Sequence, residues 1–350
     1  MTSQTSQTSR RQPETEPEKP SGTAAAPVRA GRRIAELDAL RGLALCGIIF
    51  INIPQTLEMF DNAGQLPDVL RVLFLGRFYP IFFLLFGIGF GIFLRSAQRR
   101  AARPRSLLLR RFAALGVAGA LLHLIQPGEV LLPFAVTGVL VLIPFSYVRG
   151  RALAVSGGAL TVLGVLAGVG GLGLLPGLFV LGFALADLGV HASLPRSARA
   201  LAATALGAAA TGTAAWALIS MDLPDIAQIR LGLAFSLSMA TGYAALFLLA
   251  LRTPAGFVPA WVLGPMGRMA LTNYVTAALL FVPIGAALDL RDSAEWTAAA
   301  LLGLGILAAQ ALFSNLWLRA FRYGPLEWAW RCVTYWRRLP IRARRELGAA

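Results

Sequence analysis

Residues 77–111 read RFYPIFFLLFGIGFGIFLRSAQRRAARPRSLLLRR. The part at 78–94 carries no charge. As a helix rising about 1.5 Å per residue, it crosses most of a hydrocarbon layer roughly 30 Å thick. Seven arginines then follow within 95–111: Arg95, Arg99, Arg100, Arg103, Arg105, Arg110 and Arg111. An apolar span running into a dense arginine loop is a transmembrane helix leaving the bilayer on its cytoplasmic side.

The same grammar extends along the chain in both directions. Apolar runs at 38–55, 77–95, 107–125, 130–148, 152–171, 174–189, 199–220, 230–251, 265–288 and 297–320 each read as a membrane helix. Apolar residue types make up 57% of the 350 residues and charged types only 14%, where soluble domains carry about a quarter. Mean hydropathy is +0.66. Arg149 and Arg151, Arg196 and Arg199, Arg252 and the tail arginines from Arg319 to Arg345 recur every second helix. The alternate loops at 56–68, 126–129, 221–228 and 289–296 hold Glu58, Asp61, Asp68, Glu129, Asp222, Asp225, Asp289, Asp292 and Glu295, with Arg291 as their lone basic residue. The expected fold is therefore all-α: a polytopic transmembrane helical bundle of about ten helices, both ends in the cytoplasm.

Formal net charge is +15. Because the arginines sit between apolar runs, the matching partner is the lipid bilayer with its anionic inner leaflet, not nucleic acid. Lys19 is the only lysine; arginine with abundant Ala and Gly is the usage of a GC-rich bacterial genome, which points to a bacterial inner membrane. Cys46 and Cys332 form neither a disulfide framework nor a metal cluster, so no metal and no tightly bound cofactor are expected. Residues 1–31, rich in Ser, Thr, Pro, Glu and Gln, read as a disordered cytoplasmic tail without a signal-peptide apolar core. The membrane domain then spans 32–322. Residues 323–350 mix Trp328, Trp330, Tyr335 and Trp336 with Arg331, Arg337 and Arg338. They read as a basic amphipathic interfacial tail or as a helix packed on the protein.

Polar groups inside a bilayer cost free energy, about 2.5–3.5 kcal/mol for a central Arg or Asp on insertion scales, and each needs a reason. On helix one, Asp38 and Arg41 are three apart and share a face; Asn52 follows about four turns on. Gly87 and Gly91 make a small-xxx-small pair for close helix contact. His123 lies near the outer end of helix three, ahead of Glu129, and a histidine beside a carboxylate suits general-base chemistry. The other histidine, His191, falls in a cytoplasmic loop. Helix nine opens GPMGRMALTNY at 264–274, placing Arg268 at its cytoplasmic end, where it can hold a phosphate or carboxylate, with Asn273 and Tyr274 deeper. Gln310, Ser314 and Asn315 add polarity on helix ten, and Glu327 is expected to pair locally among arginines.

Five segments together resemble the YeiB-like family of bacterial inner-membrane proteins, built around a domain of unknown function. They are LDALRGLALCGIIFIN at 37–52, FYPIFFLLFGIG at 78–89, His123 with GEVL at 128–131, GRMALTNY at 267–274 and FSNLWLRAFRYGPLEWAW at 313–330. Glu129 stands where the family usually has Asp, and the loop between helices six and eight is short. The Asp-x-x-Arg-Gly opening also resembles membrane acyltransferases that acetylate sugars, and the heparan glucosaminide N-acetyltransferase. Those enzymes often place a histidine after the first helix; this chain has Asn52 there, so that role is not carried over. The resemblance implies transfer of an acyl group from cytoplasmic acyl-CoA to an extracytoplasmic glycan or small-molecule acceptor. Asp38, Arg41, Asn52, Arg268, Asn273 and Tyr274 would then bind substrate, and His123 with Glu129 would deprotonate the acceptor. Transport of a lipid or small solute, and a non-catalytic scaffold, are the alternatives.

Overall fold

The computed structural model describes residues 35–193, 197–221 and 223–342. The N-terminal tail, Arg196, Asp222 and the last tail arginines lie outside these. The helices are α1 (Ala35–Thr56), α2 (Tyr79–Gln98), α3 (Pro104–His123), α4 (Leu131–Phe145), α5 (Gly150–Ala167) and α6 (Gly171–Asp187). They continue with α7 (Ala198–Ile219), α8 (Asp225–Ala250), α9 (Phe257–Arg268), α10 (Ala270–Ala287), α11 (Trp296–Ala320) and α12 (Pro325–Tyr335). Among the described residues eight helices are long and apolar enough to cross a membrane, and Leu131–Phe145 and Gly171–Asp187 are shorter apolar helices. These correspond to the ten apolar runs. Among the described residues the only extended pairing is an isolated bridge between Phe321 and Arg342.

Two boundaries differ from expectation. The fifth helix stops at Ala167 because Gly168 adopts φ 65°, a left-handed cap that frees the chain for the Gly170 turn. The ninth helix is two: α9 ends at Arg268, Met269 leaves helical geometry at φ −109° and ψ 30°, and α10 starts at Ala270. Pro265 inside α9 weakens the helix just ahead of this break.

Basic and acidic loops separate to opposite ends. At one end Arg95 pairs with Asp187 at 3.4 Å, Arg105 Nε donates to Ser146 Oγ at 2.9 Å, and Gly150 N donates to Asp187 Oδ2 at 2.8 Å. At the other, Arg291 pairs with Glu58 at 2.9 Å and Asn62 Nδ2 donates to the Asp292 carbonyl at 3.1 Å.

Close packing of α2 on α6 rests on absent side chains. A Cβ on Gly87 would collide with the Phe179 carbonyl oxygen and lie 3.1 Å from Gly182 Cα; one on Gly91 would sit 2.6 Å from Ala186 Cβ. In lipid, helices associate largely through such contact. Around it Phe86, Phe134 and Phe179 interlock, with ring centroids 4.7–5.0 Å apart. Gly87→Val is therefore expected to destabilise the bundle by about 1–3 kcal/mol, read as a lowered thermal midpoint in detergent. Gly89→Val, whose Cβ meets nothing within 4 Å, is the matched control.

Candidate active site

The site begins where α1 crosses α9. A Cβ on Gly42 would strike the Leu263 carbonyl and lie 3.0 Å from Leu263 Cβ, and one on Gly267 would strike the Asp38 carbonyl, 2.8 Å from Gly42 N. Two glycines thus let the backbones touch, which sets Arg41 and Arg268 on one void. Arg41 Nη1 donates to Asp38 Oδ1 at 2.9 Å; the pair fixes the Arg41 side chain without consuming its remaining donors.

The break after Arg268 is held by a buried amide. Asn273 Nδ2 donates to the Met266 carbonyl at 3.1 Å and to Ser314 Oγ at 3.0 Å, and Gln310 Nε2 donates to the Asn273 carbonyl at 2.7 Å. The Met266 carbonyl, at the break, is thereby satisfied inside the protein, as the bilayer demands. Asn273 faces this clamp and does not line the void.

Helix α12 closes one side. Glu327, expected to pair locally, instead caps α10: Oε1 accepts from Leu271 N at 2.7 Å and Thr272 N at 3.0 Å, and Oε2 from the Thr272 hydroxyl at 2.6 Å. Burial pushes the Glu327 carboxyl above its ordinary range, partly offset by those hydrogen bonds. Trp330 Nε1 donates to the Arg111 carbonyl at 2.8 Å, and the Arg111 guanidinium lies 3.6 Å from the Trp330 ring centre. The inner face of α12 is thus packed on the bundle, whereas Trp336 is 77% exposed.

The cavity between these helices has a volume of about 240 Å³. Arg41, Arg111, Arg268, Arg322 and Arg331 line it together with two carboxylates, Asp38 and Glu327. Such an excess of cations around a void favours an anion. The rest of the lining is largely aromatic, with Phe82, Phe86, Phe90, Phe112, Phe134 and Tyr274. Asp38 and Asn52 lie fourteen residues apart on α1, roughly 21 Å at 1.5 Å per residue, so the polar groups beside Tyr274 lie most of a bilayer core away from Asp38.

At that depth a second polar group is buried. The Tyr79 hydroxyl donates to Asn52 Oδ1 at 2.5 Å, the Asn52 side chain reaches the Tyr274 hydroxyl, and Val130 N donates to the Tyr274 oxygen at 3.1 Å. Glu129, 2% exposed, holds the start of α4: its carboxylate accepts from Leu131 N and, at 2.9 Å, from Leu132 N. His123 is exposed at the end of α3 and does not line this cavity. The structure therefore gathers Asp38, Arg41, Arg268 and Tyr274 on one cavity, sets Asn52 and Asn273 behind it, and leaves His123 and Glu129 at the acidic end. Arg111, Arg322 and Arg331 carry no mark of a site in the sequence, because each also reads as an ordinary positive-inside anchor. Glu327 stands out in the sequence as an acid among arginines, but its partner lies more than fifty positions away.

Two family profiles match. One, described as heparan-alpha-glucosaminide N-acetyltransferase, catalytic, covers residues 33–211; the other, protein of unknown function (DUF418), covers 185–337. The cavity draws Asp38, Arg41 and Arg111 from the first region and Arg268, Tyr274 and Glu327 from the second. An uncharacterized 39.9 kDa protein in the amylase 3' region of Bacillus acidopullulyticus is 31% identical over 347 residues, spanning 91% of this chain and 99% of that one. YxaH of Bacillus subtilis is 41% identical over 80 residues, 22% of this chain and 19% of its own. YeiB of Escherichia coli is 36% identical over 95 residues, 27% and 25%. No solved structure matches the chain.

Proposed function

The chain belongs to the YeiB-like family, distantly related to membrane acyltransferases, and from that premise we propose that it moves an acyl group from cytoplasmic acyl-CoA to an extracytoplasmic acceptor. The observation that carries this is the cavity, whose wall combines five arginines with five phenylalanines. Coenzyme A has the matching form, a cluster of phosphates joined to a long uncharged arm that ends in the thioester. Arginine grips phosphate through paired N–H donors, and the phenylalanine wall receives the arm and acyl group. The arginine-rich end then faces the cytoplasm of a bacterial inner membrane. Acyl-CoA is a consumed donor, not a resident cofactor.

The chemistry follows from the inner end. An acceptor hydroxyl or amine loses its proton to a base and attacks the thioester carbonyl. The C–S bond breaks, the acyl group stays on the acceptor, and the coenzyme thiolate leaves to be protonated. Tyr274 receives hydrogen bonds on its oxygen, so its own O–H is available to the carbonyl oxygen as negative charge develops there. His123, exposed at the acidic end and outside the cavity lining, is the proposed base, and in that role it meets the acceptor where the acceptor enters from that side. Glu129 acts as a positioning residue by fixing the turn that joins His123 to Val130 and Tyr274.

The test is equilibrium binding of radiolabelled acetyl-CoA to the purified full chain. Arg41→Gln and Arg268→Gln are each expected to weaken binding about tenfold or more, since hydrogen bonds to charged groups contribute roughly 1.5–3 kcal/mol. His123→Ala is expected to bind acetyl-CoA normally yet lose transfer. Wild-type protein that does not bind acetyl-CoA, or His123→Ala with full transfer activity, would refute these assignments respectively. Solute flux through proteoliposomes without acyl-CoA would favour transport.

A further inference from the structure

The acidic end contains a second cavity, about 960 Å³, among α1, α2, α6, α7 and α8. It shares no lining residue with the arginine-lined cavity. On its wall stands Arg77, only 7% exposed. The guanidinium donates to the Val72 carbonyl at 3.0 Å, to Ser236 Oγ at 2.5 Å and to the Arg71 carbonyl at 3.3 Å, and lies 4.4 Å from the Phe235 ring centre. Every one of these partners is neutral. Among the described residues no carboxylate lies within ion-pairing distance of Arg77. An arginine has five N–H donors, so each terminal nitrogen retains one. A buried cation without a counter-charge is costly, and an anion entering the adjoining cavity removes that cost.

Two contacts tie this cavity to the transfer point. Tyr79 lines it and hydrogen-bonds Asn52, whose side chain reaches Tyr274 on the other cavity. A run of three hydrogen-bonded side chains thus links the lining of one cavity to that of the other. At the rim, Gln55 meets the turn after His123: a Cβ on Gly128 would lie 2.5 Å from Gln55 Nε2.

We infer that this second cavity is the acceptor site, and that it takes an acceptor carrying a carboxylate or phosphate, seated on Arg77, with its apolar body among Leu174, Trp216 and Phe235. The word acceptor rests on the acyl-transfer reading; the anion site itself does not.

The full chain is purified and its thermal midpoint titrated with phenyl phosphate as the soluble probe. In a parallel arm it is held in phosphatidylcholine nanodiscs with or without phosphatidylglycerol, the lipid-borne source of the same group. Saturable stabilisation in either arm is expected, and the responding arm identifies the source. Arg77→Gln should weaken the probe's affinity at least about tenfold. Gly232→Phe enters the cavity from a position where a Cβ meets nothing within 4 Å, replaces none of Arg77's partners, and should remove the effect even if Arg77→Gln does not fold. Stabilisation by neither probe, or stabilisation that Gly232→Phe leaves undiminished, overturns the site. Acetyl-CoA binding by the same samples separates the two claims. If it is absent while the Gly232-sensitive effect persists, the donor reading fails and the anion site stands.

Discussion

Gly267→Val is expected to cost about 3 kcal/mol or more and to abolish acetyl-CoA binding. The Cβ would be driven into the Asp38 carbonyl, with Asp38 C and Gly42 N both 2.8 Å away. These are backbone atoms of α1, so no side chain can rotate to make room. The only relief is to push α9 off α1, which separates Arg41 from Arg268 and breaks the Asn273 clamp behind them. Gly264→Val, one turn back on α9 where a Cβ meets nothing within 4 Å, should change neither stability nor binding. Thermal midpoints and acetyl-CoA titrations of the two variants make the comparison. Equal behaviour would show that the crossing does not set the site.

Glu327→Ala is expected to release α12. It removes the acceptor for the Leu271 and Thr272 amides and the Thr272 hydroxyl, leaving the first turn of α10 uncapped in a partly buried place. Caps and unsatisfied donors of this kind cost roughly 1–3 kcal/mol. The larger effect is on geometry, since Trp330 and Arg331 reach the cavity only while α12 is docked. Protease should cut residues 325–335 faster in Glu327→Ala than in wild type, and acetyl-CoA should bind at least about tenfold more weakly. Glu327→Gln keeps one acceptor oxygen and should fall between the two.

Much of the fold was legible because a membrane imposes coarse rules. Apolar runs near the bilayer thickness and arginines on alternate loops marked the ten segments and their two ends. Gly87 and Gly91 announced close packing, which the contacts with Gly182 and Ala186 bear out. The break at Met269 was hidden because Pro265 and Gly267 fit a helix start as well as a helix end. Arg41 and Arg268 stood out as charges at helix ends. Their convergence depends on Gly42 meeting Gly267, a pairing across more than two hundred residues that no local pattern encodes. Arg111 is harder to find: its neighbour Arg110 has the same local signal, and only the turn of α3 separates one from the other.

The most direct test of the central claim is a cryo-electron microscopy structure of the full chain in nanodiscs with saturating acetyl-CoA. The expected result is ligand density in the first cavity, with phosphates between Arg41 and Arg268 and the thioester beside Tyr274. An empty cavity at a saturating concentration, or phosphates bound at the acidic end, would contradict it.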